Sequence, residues 1–305
     1  MLVLIPHNLK IPFIRIRWLG FVLSIALILT GVLALVQIGR GKAKMGVDFA
    51  GGTSVEIEFA QSVSSDALRA ALKSPDFRDV SQQSINEPGR YKYMLRIFAP
   101  ALPMEEVSTR VVDILRKNIP DNTVTVLSSE DVGPSVSAHL RQQAMMAVFW
   151  AMVGILIYIW WRFDFRLSVA ATVATIHDLL AVLGIMFLLG NEINLLLVTA
   201  LLTIGGYSLN DTVVVFDRIR ENLRLRRKDE YNQIVNDSVN ETLSRTIITS
   251  FATLLVVVCL FFLGGEVIHT FALAMLIGIV VGTYSSIFVA SNFVVEWNVH
   301  NPLPR

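Results

Sequence analysis

The sequence predicts an α-helical membrane protein, with six transmembrane helices and one small α+β domain of ferredoxin-like order inserted after the first helix. Three observations predict it. Of the 305 residues, 53% are hydrophobic, and the mean hydropathy is +0.58, too apolar for an ordinary soluble domain. Six segments are long and apolar enough to span about 30 Å of hydrocarbon. About a hundred polar residues between the first two segments carry strand and helix periodicities in the order β-α-β-β-α-β, the split βαβ pattern.

The chain opens with an arm, residues 1–17, carrying Lys10, Arg15 and Arg17. The first span, TM1 at residues 18–38, follows it. Basic residues before an apolar run resemble a signal peptide. This run is longer than a typical signal core and no A-x-A site follows it, so a retained anchor is the better reading.

Residues 39–138 form the inserted domain. TSVEIEF (53–59) alternates as a strand does, and SSDALRAALKS (64–74) opens with capping residues and keeps helical spacing. DVSQQSIN (79–86) and KYMLRIF (92–98) read as two strands joined around Pro88-Gly89. MEEVSTRVVDILRKNI (104–119) is an amphipathic helix, and TVTVLSSE (123–130) a last strand. Residues 39–138 contain 12 Lys/Arg and 13 Asp/Glu. The near balance, with no His/Cys cluster, nucleophile arrangement or phosphate loop, favours a docking or recognition module over an enzyme.

A bundle, TM2–TM6, occupies residues 139–295. Its spans run over Leu140–Trp160, Leu167–Leu189, Ile193–Phe216, Thr246–Leu263 and Ile268–Val295. Short loops rich in Lys and Arg stay in the cytoplasm. The arm, Arg162 and Arg166, and the segment 217–245 carry the bases, whereas the turns at 190–192 and 264–267 carry none. Six spans alternate consistently with that bias, which places both termini, including the tail 296–305, in the cytoplasm and the inserted domain outside. The segment 217–245, with seven bases and six acids, is expected to lie along the membrane interface as one or two short helices. A lipid surface or a docking partner would suit it. The net charge of +1 suggests no nucleic-acid partner. Cys259 is the one cysteine, so no intrachain disulfide forms, and a small buried hydrophobe is its expected role.

Chemistry concentrates in the spans. Asp211 lies in an apolar run between Asn210 and Thr212. A carboxylate at that depth costs about 2.5–3.5 kcal/mol on insertion scales and commonly marks an ion or proton path. It stands five residues before the end of its span, about 7–8 Å from the cytoplasmic side. Arg245 begins the next span from that side, so the two can reach similar depth. An approaching guanidinium favours the ionised carboxylate, while desolvation alone favours the protonated acid. An arginine that comes and goes would therefore switch the proton affinity of Asp211. A static ion pair, or Arg245 snorkelling to lipid phosphate, is the plainer alternative. Asp178 beside His177 in the third span reads either as a second relay carboxylate or as a polar lock between helices. Gly205-Gly206 suggests a loosened helix or close packing. Ala274, Gly278, Gly282, Ser286 and Ala290 form a small-xxx-small stripe that lets another helix approach, from this chain or from a partner.

Five segments in order carry a resemblance: GVDFAGG (46–52), GPSVSAHLR (133–141), GGYSLNDTVVVFDRIREN (205–222), RTIITS (245–250) and residues 264–291. Together they resemble the SecD/SecF family of protein-export membrane proteins, related to the resistance–nodulation–division (RND) transporters, over nearly the whole chain. The resemblance implies an RND-like bundle with a periplasmic domain, in the bacterial inner membrane. It implies a non-enzymatic accessory to export that needs no cofactor. Protons would drive it, and unfolded secretory chains emerging from the SecYEG channel would be its substrate. It implies pairing with a SecD chain that supplies six similar spans, and brings YajC and YidC as candidate partners. Asp211 matches the family's transmembrane aspartate and Arg245 its arginine, and Asp178 falls where the family usually has an acid. An RND-type efflux transporter of small molecules or lipids, and a passive assembly subunit, are the rival readings.

Overall fold

The computed structural model describes residues 11–87, 89–99 and 102–301. Lys10, Pro88 and the outer parts of the arm and tail (1–10 and 302–305) lie outside these. The chain divides into two compact units, one from Met45 to Met145 and one made of the residues before and after it.

The first unit is the α+β insertion. A short helix α2 (Val47–Ala50) precedes β1 (Gly52–Phe59), α3 (Ser65–Ala71), β2 (Asp79–Glu87), β3 (Arg90–Phe98), α4 (Met104–Asn118) and β4 (Val124–Val132). The sheet order is β2-β3-β1-β4 and every neighbouring pair is antiparallel. This is the ferredoxin-like arrangement expected of the split βαβ order. Alternation places Val55, Ile57 and Phe59 of β1 and Leu95 and Ile97 of β3 on one face, where they pack with Leu68, Val111 and Leu115 of the two helices. The Ser64 hydroxyl accepts from Ala67 N at 3.2 Å and caps α3, satisfying an otherwise orphaned amide. Helix α4 has Glu105 and Glu106 in its first turn and Arg116 and Lys117 in its last, which suits the helix dipole. The GVDFAGG segment joins α2 to β1. Its Gly51 and Gly52 take φ of +76° and +112°, and a Cβ on Gly52 would stand 2.8 Å from Ile97 O. Arg96 of β3 donates to Met45 O at 3.3 Å. Burial pushes its pKa down to about 10, against the pull of Asp48.

The second unit holds α1 (Arg17–Gly39), α5 (Pro134–Arg162) from residue 146 onward, α6 (Phe165–Leu188), α7 (Leu195–Leu225) and α8 (Tyr231–Leu263), followed by α9 (Gly265–Ser285), a π-helical turn (Ser286–Ala290) and α10 (Ser291–His300). Among the described residues, six helices are long and apolar enough to cross a membrane, the last running from Val267 to His300. Helices α1 and α6 meet at glycines, since a Cβ on Gly31 would lie 2.3 Å from Leu180 O and one on Gly184 2.4 Å from Gly31 N. Of the two readings of Gly205-Gly206, a loosened helix or close packing, the structure shows packing at Gly205 and no loosening. Helix α7 is unbroken there, and Gly205 stands under the side chains of Ile155 and Leu179. Cys259 is exposed on α8, not buried as its apolar surroundings suggested.

The segment 217–245 also differs from expectation. It forms no separate interfacial helices: α7 and α8, of 31 and 33 residues, extend about 46 and 50 Å, beyond a hydrocarbon core of about 30 Å, and turn at residues 226–230. The seam between them is apolar, with Ile219, Ile234, Val235 and Val239 almost wholly buried. The charges pair across it. Arg218 bonds Glu241 across it as well as Glu221 on its own helix, and Arg226 bonds Asp237 and Glu241. Asn222 donates to Ser238 Oγ and Glu241. The arm is fastened to this hairpin. Phe13 and Ile14 are buried, and Asn236 and Asn240, one turn apart on α8, bond the backbone of Ile11 and Ile14.

Candidate functional site

Asp211 is 3% exposed, in the middle of α7. Its Oδ2 accepts from Ser250 Oγ of α8 at 3.3 Å, and Thr283 Oγ1 of α9 lies 2.8 Å from that same Ser250 Oγ. Three helices thus meet at one carboxylate through two hydroxyls. Arg245, five residues before Ser250 on α8, is exposed. It makes no ion pair with Asp211, although its charge is within electrostatic reach. Neighbouring Asn210 is exposed. Thr212 is buried and bonds its own helix at Ser208 O, 3.4 Å away.

Asp178 of α6 is fully buried, and its carboxylate meets His177 and Ser208. His177 Nδ1 lies 2.8 Å from Oδ1, and the Ser208 hydroxyl of α7 donates to Oδ2. His177 Nε2 is buried with no hydrogen-bond partner. The Tyr284 ring of α9 faces the imidazole, centroids 6.3 Å apart. Its hydroxyl reaches α1, donating to Gly20 O at 2.6 Å.

The small-residue stripe is used inside the chain. Ala274, Gly278, Gly282, Ser286 and Ala290 are all buried. A Cβ on Gly278 would stand 2.4 Å from Ile204 Cδ1, and one on Gly282 2.9 Å from Ser208 Cβ. The stripe therefore brings α9 onto the face of α7 that carries Ser208, and it is not left to face a second subunit. Sequence reasoning picked out the two acids and missed the hydroxyls that hold them, Ser208, Ser250 and Thr283. Serine and threonine are common in membrane helices, where each can bond its own backbone, so no pattern along the chain marks them. The one available signal was Ser208, a helical turn before Asp211. Among the described residues no group of His, Cys, Asp or Glu is arranged to hold a metal ion.

Comparison with known proteins bears on what such a bundle is. Residues 111–300 match the family described as protein export membrane protein SecD/SecF, C-terminal, and residues 44–63 match the SecD/SecF GG motif. The chain belongs to the SecD/SecF family. The protein translocase subunit SecF of Thermodesulfovibrio yellowstonii is 45% identical over 92% of this chain and 93% of its own length. The protein translocase subunit SecDF of Thermus thermophilus is 39% identical over 93% of this chain, but over only 38% of its own length. A crystal structure of SecDF, described as a translocon-associated membrane protein, from the same organism superposes with a TM-score of 0.83 at 37% identity. It covers 97% of this chain, which spans 40% of that longer one. The resemblance read from GVDFAGG, GGYSLNDTVVVFDRIREN and the other segments is thus borne out, as is the class of fold. The relationship to a longer SecDF chain places this chain beside a SecD portion.

Proposed function

We propose that the chain is an accessory subunit of Sec protein export. With a SecD chain, it uses the proton-motive force to promote translocation and release of unfolded proteins at the SecYEG channel of the bacterial inner membrane. The observation that carries this reading is the setting of Asp211, a buried membrane carboxylate held by a hydroxyl while the nearby arginine stands apart from it. Such an acid can take and lose a proton, and Arg245 needs only to approach to favour its ionised form. Asp178, held by His177 and Ser208, is the second carboxylate of the relay.

Each elementary charge crossing the membrane field is worth about 2.3 kcal/mol per 100 mV. A few protons per cycle offset the cost of moving a domain that releases a bound chain. The cycle requires two conformations that protonation biases differently, and approach and withdrawal of Arg245 is that difference. The clustered bases of 217–245 support a topology with the α7–α8 hairpin and both termini in the cytoplasm.

The test is proton flux through complexes of this chain and SecD in proteoliposomes, with and without an arrested export substrate. Asp211→Asn, assembled normally, is expected to abolish both flux and proton-driven export. Full export by that variant would overturn the proposal and leave the passive assembly role.

A further inference from the structure

Helix α9 carries a feature that neither the relay reading nor the family match uses. At its carboxyl end, over Gly282–Ser286 where it passes into the π-helical turn, residues reach both carboxylate sites. Gly282 abuts Ser208, Thr283 meets Ser250, Tyr284 faces His177, Ser285 is fully buried, and Ser286 opens the π-helical turn. A π turn inside a helix often accompanies a functional site. Thr283 is the member of this segment that reaches Asp211, through Ser250.

Thr283 Oγ1 has two neighbours at hydrogen-bond distance, Ser250 Oγ at 2.8 Å and Ile279 O at 2.7 Å. A hydroxyl carries one hydrogen and two lone pairs, so Thr283 can donate to only one of them at a time. With Asp211 ionised, Thr283 donates to Ser250 and Ser250 donates to the carboxylate. With Asp211 protonated, its O–H donates to Ser250, Ser250 donates to Thr283, and Thr283 donates to Ile279 O. Every hydrogen has an acceptor in both states. The only covalent O–H bond that forms or breaks is the carboxyl's own, and the two hydroxyls only rotate.

We infer that Ser250 and Thr283 are positioning residues for Asp211, a pair of hydroxyls that reverses direction and keeps the buried carboxyl hydrogen-bonded in both charge states. An unpaired buried polar group is costly, and a fixed donor would favour one charge state over the other. A reversible pair removes that bias, leaving the approach of Arg245 to set it. The inference rests on the reading of Asp211 as proton carrier.

The experiment uses the complex with SecD in proteoliposomes, comparing Thr283→Val, Thr283→Ser, Ser250→Ala and Asp211→Asn. Proton flux is measured beside the infrared carboxyl band that vanishes in Asp211→Asn. Thr283→Val keeps the shape and loses the hydroxyl. It is expected to lower flux about tenfold, the scale of one hydrogen bond, and to shift the Asp211 band. Thr283→Ser restores both, and Ser250→Ala shifts the band at least as far as Thr283→Val. A wild-type band and flux in Thr283→Val would overturn the inference, and so would a Thr283→Ser variant that fails as Val does. Flux surviving in Asp211→Asn would instead overturn the parent reading, and this one with it.

Discussion

The Ser208 hydroxyl of α7 donates to Asp178 Oδ2 of α6, and Ser208 stands three residues before Asp211 on the same helix. One turn of α7 therefore serves both buried carboxylates. Removing the donor leaves one oxygen of a fully buried acid without its partner. Ser208→Ala is expected to destabilise the detergent-purified protein by about 1–3 kcal/mol, the cost of leaving a buried polar group unsatisfied, measured by thermal or denaturant unfolding. Thr203→Ala is the control, because Thr203 is exposed and bonds only its own helix at Thr199 O. It should change stability by less than about 0.5 kcal/mol. Equal losses in the two variants would mean that the Asp178–Ser208 bond carries no stability of its own.

The glycines of the bundle divide by what surrounds them. A Cβ on Gly282 would press on Ser208 Cβ at 2.9 Å, while one on Gly206 would meet nothing within 4 Å. Gly282→Val is expected to push α9 off α7, lowering the yield of folded protein and the proton flux together. Gly206→Ala should be neutral or stabilising by up to about 1 kcal/mol, since alanine loses less freedom than glycine in a helix. Folded yield and unfolding midpoint for the pair decide it, and a tolerated Gly282→Val would show that the α7–α9 contact can slide.

The six spans, the four strands and the two acids were legible because each leaves a mark along the chain, as an apolar run, a period of two, or a charge where none is expected. The α7–α8 hairpin was misread for a physical reason. Bases alternating with acids look like a surface helix, and only the fold shows Arg218 and Arg226 reaching across to Glu241 and Asp237. Ser250 and Thr283 left no mark at all. Their meaning comes from meeting at Asp211, and they are 33 residues apart in sequence.

Asn236 and Asn240 clasp the amino-terminal arm. Asn240 Oδ1 accepts from Ile11 N at 2.9 Å, its Nδ2 donates to Ile11 O at 2.9 Å, and Asn236 Oδ1 accepts from Ile14 N at 3.3 Å. Both amides of the arm are thus protected by side chains of α8. In Asn236→Ala/Asn240→Ala, hydrogen exchange at Ile11 and Ile14 is expected to quicken by about tenfold or more, the equivalent of one or two net hydrogen bonds. The amides within the α7–α8 seam should keep their protection. Unchanged exchange at Ile11 would show that Phe13 and Ile14, buried in the core, hold the arm without the clasp.

The α+β unit carries a pH dependence of its own. Arg110 Nε and Nη2 both donate to Asp76 Oδ2, at 2.9 and 2.7 Å. That hydrogen-bonded guanidinium, helped by Ser74, holds the Asp76 carboxyl below its ordinary range. A carboxylate whose folded pKa is depressed adds stability above its unfolded value, near 3.9, and that stability is lost as pH falls through the folded value. The unit should therefore lose this contribution below about pH 4, with no change between pH 6 and 8. In Arg110→Ala the Asp76 titration, followed by carboxyl NMR shifts, is expected to move up toward the ordinary value, and the acid limb of the unfolding curve to flatten. The pair is partly exposed, so added salt should weaken it in the same direction. A titration that stays in place in Arg110→Ala would assign the depression to Ser74 instead, whose hydroxyl donates to the same oxygen at 3.2 Å.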